Sequence, residues 1–472
     1  MRRLIVTLLV ACMAQTAAFG QKGPQKKKYA PPVVDTPAEY KGAGAARPDA
    51  QALADAKWFE VFRDEKLQEL IREAFAHNYD VRAAVARIDA ASAALGITHS
   101  EQLPTVGAGS DLTHERRSRD GAFTIPEPVS QHRTFGSLLT NLFTYEIDAW
   151  GRLRTQTAAA RFDLAASEEA RRAVLTTIVG DVATSYFSLR EFDFELEIAR
   201  RTLASRQESL RIIRLRQDRG VSNMLEVRQA EELVYNATEV IPSVERSIEQ
   251  QENFISFLTG KSPRAVPRGE SLTEQQLPPD VPTGLPSDLI ERRPDIRSAE
   301  QELAAAGARI DVAKKAYLPR ISLTGFLGFE STSLTSLFSP SRAVWGFLPQ
   351  VTQPIFTGGR IKSEVRFTQA QRDLLLVNYE RTIQNAFREV SDSLVAYRKS
   401  KEVRAQRGLL VTTLRDRSRL AYLRYNGGVS NLLEALDADR ELFDAELSLA
   451  QARRDEMLSV VQLYKALGGG WR

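Results

Sequence analysis

The chain has 472 residues, of which 43% are hydrophobic and 26% are charged. This length would suit two or three ordinary domains or one elongated unit, and composition does not choose between them. Lys plus Arg (64) nearly balance Asp plus Glu (60), so the chain lacks the basic excess that nucleic-acid-binding proteins carry. We therefore expect no nucleic-acid partner.

Residues 1–20 have the pattern of a secretory signal peptide. Two arginines precede an apolar run from Leu4 to Val10, and Ala18-Phe19-Gly20 forms a small-x-small cleavage site. Cleavage after Gly20 would leave a mature chain without cysteine, and hence without disulfides or thiol chemistry. The alternative is a lipoprotein cleavage site before Cys12, which makes Cys12 the candidate lipidation residue but leaves a signal of only eleven residues.

Residues 21–57 are rich in Pro, Ala, Gly and Lys and are expected to form an extended lead-in. Helical spacing begins at Trp58 and continues in an alanine-rich segment from Val81 to Leu103, which Pro104 ends. From Thr105 to Asp148 the apolar period becomes two, on either side of a polar Gly/Pro segment at 115–133. We therefore predict a strand hairpin at about 105–150.

After Gly151-Arg152 the helical pattern returns and runs without a proline to Arg219, which is 68 residues. An unbroken helix of that length would measure roughly 100 Å. A tight turn and a return helix from Asn223 to Leu258 follow. The turn is predicted from Gly220 as the C-cap and Ser222 as the N-cap of the two helices.

The second half of the chain repeats this order. Gly220 to Ala230 agree with Gly428 to Ala438 at seven of eleven positions, with an offset of 208 residues. The repeat predicts a second hairpin at about 320–357, a second long helix, a turn with Gly427-Gly428 as C-cap and Ser430 as N-cap, and a return helix from Asn431 to Leu467. We therefore divide the chain into a first repeat, 58–280, and a second repeat, 281–472.

Beyond the signal, no stretch reaches the ~20 apolar residues that a membrane-spanning helix needs. A membrane crossing would therefore require strands closed into a barrel. Two strands per repeat give four per chain, whereas the smallest membrane barrels need about eight. Oligomerisation is therefore expected, and three copies would supply twelve strands.

Four motifs are more specific than the repeat itself. They are Trp58-Phe59 with Phe62-Arg63-Asp64, the segment from Asn78 to Pro104, Gln353-Pro354-Ile355-Phe356 with Gly358-Gly359-Arg360, and Leu463-Tyr464-Lys465-Ala466-Leu467-Gly468-Gly469-Gly470-Trp471. With them, essentially the whole mature chain resembles the TolC-type outer-membrane efflux factors, and within these the NodT subgroup of resistance-nodulation-division pumps. The sequence departs from this subgroup in one respect. Many members carry a lipidated cysteine, whereas the region around Tyr29-Ala30-Pro31-Pro32 of this chain contains no cysteine.

The resemblance implies an α+β membrane protein of the outer membrane with a periplasmic extension. It implies a homotrimer with a 12-stranded β-barrel, to which each chain gives four strands, a long α-helical periplasmic barrel and an equatorial belt. It also implies docking to a periplasmic adaptor of an inner-membrane pump. The expected function is a passive duct for small molecules, without enzymatic activity or cofactor. Two alternatives stay open: a duct for type I protein secretion, and a periplasmic coiled-coil scaffold without a pore.

Leu433, Asp437 and Arg440 share one face of the helix that follows the second turn. In the family, the matching positions close the periplasmic aperture, so the resemblance makes these three residues the candidate gate. The first repeat has Leu225, Gln229 and Glu232 instead and lacks the Asp/Arg pair. The alternative is an ordinary solvated helix face with a surface ion pair.

The turn residues are the candidate tips for docking the adaptor, although capping alone would also account for them. These residues are Gly220, Val221, Ser222, Asn223, Gly428, Val429, Ser430 and Asn431. The histidines lack metal-ligand spacing, so no metal site is expected. The neighbouring carboxylates Glu168-Glu169, Glu231-Glu232 and Asp437/Asp439 are expected to be solvated.

Overall fold

A computed structural model describes residues 57–120, 124–275 and 286–470. These residues belong to the second of two units of the chain, Thr36–Arg472. The predicted signal peptide, the candidate lipidation residue Cys12, nearly all of the lead-in, and Trp471 lie outside the described residues.

Each half contains short helices, then a strand hairpin, then two longer helices, and the first half has one more short helix before its hairpin. The first half contains α1 (Trp58–Val61), α2 (Glu65–His77), α3 (Tyr79–Ser100), β1 (Thr105–Arg116), β2 (His132–Ile147), α4 (Arg152–Asp218) and α5 (Met224–Leu258). The second half contains α6 (Pro286–Arg292), α7 (Pro294–Lys315), β3 (Arg320–Ser331), β4 (Ala343–Thr352), α8 (Arg360–Asn426) and α9 (Leu432–Ala466). Two short 3₁₀ helices, Leu334–Ser336 and Pro340–Arg342, lie in the second hairpin loop.

The four strands form one antiparallel sheet in the order β1-β2-β3-β4. The two hairpins meet at β2 and β3, where Gly136 pairs with Ser331 and Ile147 pairs with Ile321. Within the described residues, β1 and β4 each pair along one edge only. The sheet therefore ends in two strands whose outer hydrogen-bonding groups have no strand partner among residues 57–120, 124–275 and 286–470.

The long helices α4 and α8 have 67 residues each, so each is about 100 Å long. Near the two turns, all four helices α4, α5, α8 and α9 contribute to one buried apolar cluster. Its members include Leu210, Ile213, Val227, Ala230, Ala421, Leu432 and Leu436. The packing of α4 and α5 against α8 and α9 joins the first repeat to the second.

The motifs near the two ends of the chain contact each other beside the middle of α4. The ring of Phe62 lies edge-on to Tyr464, with the ring centroids 5.9 Å apart, and also packs near Phe187 at 6.2 Å. Leu67 and Ile71 of α2 are fully buried in the same region. Two motifs that the sequence singles out separately therefore form one structural unit.

The helices and the antiparallel sheet confirm the predicted α+β class. Within the described ranges, no helix is both long and apolar enough to cross a membrane. The N-cap prediction is wrong by one residue in each repeat: the caps are Asn223 and Asn431, and not Ser222 and Ser430. The chain enters each return helix one residue later than predicted, and the longer asparagine side chain reaches the free amide.

The expectation of solvated carboxylates is wrong for three residues. Glu169, Glu231 and Asp439 are each largely buried, with side chains 8%, 11% and 14% exposed. Each is paired with at least one arginine, because a buried carboxylate requires a compensating charge or hydrogen bonds.

Candidate functional site at the helical turns

Both turns have the same backbone geometry. Gly220 and Gly428 adopt φ values of 73° and 72°, a left-handed conformation that glycine adopts without steric cost. The amides of Val221 and Val429 donate to the carbonyls of Arg216 (2.9 Å) and Arg424 (3.0 Å). These are the bonds of a Schellman motif, which satisfies the last free carbonyls of α4 and α8.

The return helices begin with the same cap. The Oδ1 of Asn223 accepts from the amide of Glu226 at 3.0 Å, and the Oδ1 of Asn431 accepts from the amide of Glu434 at 3.1 Å. Folding therefore accounts for the glycine and the asparagine of the repeated Gly-Val-Ser-Asn. The serines differ between the turns, because Ser222 bonds to the Glu226 carboxylate whereas Ser430 donates to the carbonyl of Asn431.

The valines at the turns have no such structural explanation. Val221 is 67% exposed and Val429 is 70% exposed. Other large apolar side chains nearby are also exposed, namely Met224, Leu225, Leu423 and Leu433. The turns therefore present apolar surface that the described residues do not cover.

The candidate gate residues lie on an exposed face of α9, next to the second turn. Leu433 is 56% exposed. The Arg440 guanidinium donates to the Asp437 carboxylate at 2.6 Å, and Arg417 of α8 lies 3.5 Å from the other oxygen of Asp437. Arg417 also pairs with Glu441. Sequence reasoning found the Asp437–Arg440 pair, because both residues lie on α9. It missed the Arg417–Glu441 pair, because that pair joins α8 to α9 and spacing within one helix does not reveal it.

The first repeat differs at the equivalent positions of α5. Glu231, which corresponds to Asp439, accepts from Arg214 of α4 at 2.7 Å and from Arg228 at 2.6 Å. Leu225 is 66% exposed and Gln229 is half-buried, so no counterpart of the Asp437–Arg440 pair forms. The two turns are therefore alike in backbone but different in charge.

A row of polar contacts runs along α4 and α9. From the turns toward the middle of α4, the contacts are Arg206 to Asp439 at 2.8 Å, Arg201 to Glu446 at 2.6 Å, Gln451 to Glu195 at 3.3 Å and Arg454 to Glu191 at 3.0 Å. The order of partners is that of two antiparallel helices in one fixed register. These contacts tie the long helix of the first repeat to the return helix of the second.

Glu191 is the most buried carboxylate of this row, with its side chain 1% exposed. Burial, together with the charge of Glu195, raises the pKa of Glu191 to about 8, although Arg454 opposes the rise. The raised pKa therefore favours the neutral carboxyl form of Glu191 at neutral pH.

Metal-ligating side chains do not converge in the described part of the chain, where no group of three or more His, Cys, Asp or Glu could hold an ion. His114 and His132 stack with ring centroids 5.9 Å apart, and the His114 Nδ1 is 2.7 Å from the hydroxyl of Thr134. Two exposed imidazoles alone do not make a metal site.

Comparison with known proteins places these features in context. The family described as outer membrane efflux protein matches residues 70–261 and 285–469. The solvent efflux pump outer membrane protein SrpC of Pseudomonas putida is 38% identical over 434 residues, covering 92% of this chain and 91% of the relative. The outer membrane protein OprJ of Pseudomonas aeruginosa is 34% identical and spans 100% of this chain and 97% of its own.

Solved structures agree with the sequence comparison. The open state of the MtrE outer membrane channel of Neisseria gonorrhoeae superposes with a TM-score of 0.85 at 30% identity, over 94% of this chain and 98% of that channel. The outer-membrane channel OprN gives a TM-score of 0.85 at 26% identity, over 95% and 99%. Each similarity extends through both repeats.

Proposed function

The chain belongs to the outer membrane efflux protein family and is an outer-membrane efflux duct, and we propose that three copies form the passive exit channel of a tripartite pump. The sequence-based resemblance to TolC-type efflux factors is confirmed, and so are the fold and the outer-membrane location with periplasmic helices. The assembly, the partners, the cargo and the roles of individual residues are the proposal.

The open sheet is the observation that supports the proposed trimer. A four-stranded sheet with unpaired outer edges at β1 and β4 is not stable in lipid, because each unpaired backbone group there costs several kcal/mol. Three chains would pair β4 of one with β1 of the next and close twelve strands, which is above the minimum of about eight. Large apolar side chains of the edge strands, such as Val106 (73% exposed) and Trp345 (76% exposed), would then face lipid or neighbouring chains.

The turns would dock a periplasmic adaptor. The side chains of Val221 and Val429 are exposed, are repeated in both turns and take no part in capping, which uses only the backbone amides of these residues, so their apolar surface would be available to a partner. The glycines and asparagines would act indirectly, by holding the valines in the same geometry at both turns. Energy would come from the inner-membrane pump to which the adaptor binds, and the duct itself would catalyse no reaction.

The second turn would narrow the passage. Leu433 would form an apolar ring with its two copies, while Asp437, held between Arg440 and Arg417, would hold the helices near the axis. Ion pairs at such partly exposed positions are individually weak, so opening needs only modest work from a partner. The first turn lacks this charge pattern and would not contribute to the constriction.

The cargo is proposed to be small organic molecules. The relative SrpC is described as a solvent efflux protein, and the similarity to it covers nearly the whole of both chains. Gene deletion should therefore sensitise the host to organic solvents or hydrophobic antibiotics, and the cloned gene should restore tolerance.

Two experiments test the assembly. A duct requires detergent for extraction, migrates as a heat-modifiable trimer and gives hollow particles with threefold symmetry in electron micrographs. In planar bilayers it gives discrete conductance steps. A monomer that purifies without detergent from the periplasm would contradict the proposal and would support the scaffold alternative instead.

A further inference from the structure

The side chain of Arg206 is buried at the point where all four long helices meet. It is 3% exposed, although it lies on α4 only thirteen residues before Arg219 at the turn. An arginine in a long charged helix normally reaches solvent. Its burial therefore calls for specific partners.

Those partners lie on two other helices. The Nε of Arg206 donates to the Asp439 carboxylate of α9 at 2.8 Å, and its Nη1 donates to the backbone carbonyl of Leu233 on α5 at 3.0 Å. The guanidinium also lies 4.9 Å from the ring centroid of Phe443, a cation–π contact with a second residue of α9. One side chain of the first repeat thus holds the gate-bearing helix of the second.

The fourth helix, α8, contributes Tyr422. Burial and the charge of Asp439 raise the pKa of Tyr422 to about 12, while Ser209 and Arg206 oppose the rise. The cluster formed by Arg206, Ser209, Tyr422 and Asp439 therefore joins α4, α8 and α9, and the bond to Leu233 adds α5. The position of this cluster matters because its member Asp439 lies between Asp437 and Arg440 in sequence but points to the opposite side of α9.

The described part of the second repeat has no equivalent of this cluster. Adding the repeat offset of 208 to Arg206 leads to Leu414, a buried apolar residue that packs with Val411 and Ala445. A leucine therefore suffices for packing at this position. The arginine, whose Nη2 is buried without a partner among the described residues, adds a constraint that packing does not require.

We propose that Arg206 is a positioning residue of the aperture: it sets the placement of α9 relative to α4 and α5 and thereby holds Leu433 and Asp437 in the closed arrangement. This inference rests on the proposed gating function. The closed state depends on it because the guanidinium fork reaches a carboxylate and a carbonyl on different helices at once, which a lysine ammonium does not reproduce.

The test is single-channel recording in planar bilayers, which gives the ratio of open to closed time. It compares purified trimers of the wild type, Arg206→Lys, Arg206→Leu and Asp437→Ala. Removal of a buried charge-assisted bond should raise the ratio of open to closed time about tenfold or more in both Arg206 variants. Arg201→Leu is the matched control, since Arg201 bonds Glu446 on the same helix pair but its side chain is 56% exposed. It should keep the wild-type ratio.

A second control separates positioning from general stability. Ile178→Ala creates a cavity at a buried position of α4, 28 residues before Arg206, and should lower the trimer melting temperature without opening the channel. Amide hydrogen exchange supplies a readout that does not depend on conductance. Exchange at residues 432–443 should rise in the Arg206 variants and stay unchanged in Arg201→Leu.

The outcomes are distinguishable. If Asp437→Ala opens the channel but both Arg206 variants keep the wild-type ratio, the positioning role is wrong and the gate assignment stands. If the wild type conducts and none of the variants changes the ratio, the gate and the positioning role both fall. If the protein forms no channel, the proposed function fails. Separately, unchanged amide exchange at residues 432–443 in the Arg206 variants would overturn the role of Arg206 in placing α9.

Discussion

The hydroxyl of Tyr186, in the middle of α4, donates a 2.8 Å hydrogen bond to the carboxylate of Asp64, the N-cap of α2. The same carboxylate accepts from the amides of Lys66, Leu67 and Glu270 and from the Gln275 side chain. Asp64 is 2% exposed and Tyr186 is fully buried. This carboxylate therefore connects the N-terminal helices, α4 and the loop after α5.

We predict that Tyr186→Phe lowers the stability of the folded chain. The change removes a donor to a buried carboxylate and an acceptor for the amide of Gly269, a loss of about 1.5–3 kcal/mol. Asp64→Ala should cost more, because it orphans every donor at once. Heat-modifiability gels give the transition temperature of each trimer, and a Tyr186→Phe variant as stable as the wild type would contradict this reading.

Gly269→Ala should disturb the hydrogen bonds of the Asp64 carboxylate by steric overlap, without removing any donor or acceptor. A Cβ at Gly269 would overlap the Asp64 Oδ1, and five donors to the two oxygens of that carboxylate determine its position. Gly307→Ala in α7 is the matched control, since its Cβ meets no described atom within 4 Å and alanine favours helix by roughly 1 kcal/mol. The first variant should lower the transition temperature and the second should leave it unchanged or raise it.

Stability should depend on pH through the Glu191–Glu195 pair. Because the folded-state pKa of Glu191 is about 8, above its ordinary value, the stabilisation of its neutral form is complete at acidic pH and is lost as pH rises through about 8. Glu191→Gln is neutral throughout and still bonds Arg454. The variant should therefore match the wild type near pH 5 and exceed its transition temperature near pH 9. An equal difference at both pH values would contradict the assignment.

Asp437→Ala and Arg440→Ala should each raise single-channel conductance. Each removes one partner of the 2.6 Å pair on the exposed face of α9, and Asp437→Ala also leaves Arg417 with Glu441 as its remaining carboxylate partner. Gln229→Ala, at the equivalent position of the first repeat, is the control and should behave as the wild type. If all three variants conduct alike, the aperture lies elsewhere.

Val221→Asp combined with Val429→Asp should abolish solvent or drug tolerance while trimer formation stays normal. Both side chains are exposed and neither contributes to capping, so the charges should affect a partner surface and not the fold. Asn431→Ala supplies the contrast: loss of its cap should cost about 1 kcal/mol of stability and leave tolerance largely intact. Full tolerance of the double valine variant would remove the turns from adaptor binding.

Much of the fold follows from local sequence. The absence of proline between Arg152 and Arg219 predicted a single long helix, and α4 runs from Arg152 to Asp218. The change from helical to alternating spacing after Pro104 predicted the strands, and β1 begins at Thr105. These features are local, because glycine, proline and apolar periodicity act on neighbouring residues.

The missed features are those that depend on distant partners. Arg206 and Asp439 are 233 residues apart in the chain, and each resembles a solvated charge on its own helix. Asp437 and Arg440 were found because both lie on one helix and match a family position, whereas Arg417 contacts Asp437 from α8. Periodicity reveals which face of a helix is apolar but does not reveal which helix covers it.

The identity of the two Schellman turns has a consequence for stoichiometry. Since Gly220-Val221 and Gly428-Val429 present the same backbone and the same side chain, one binding surface on a partner fits either turn. A three-chain duct would thus offer six near-equivalent contact points, and a ring of six identical adaptor subunits could meet a threefold assembly without a mismatch of symmetry.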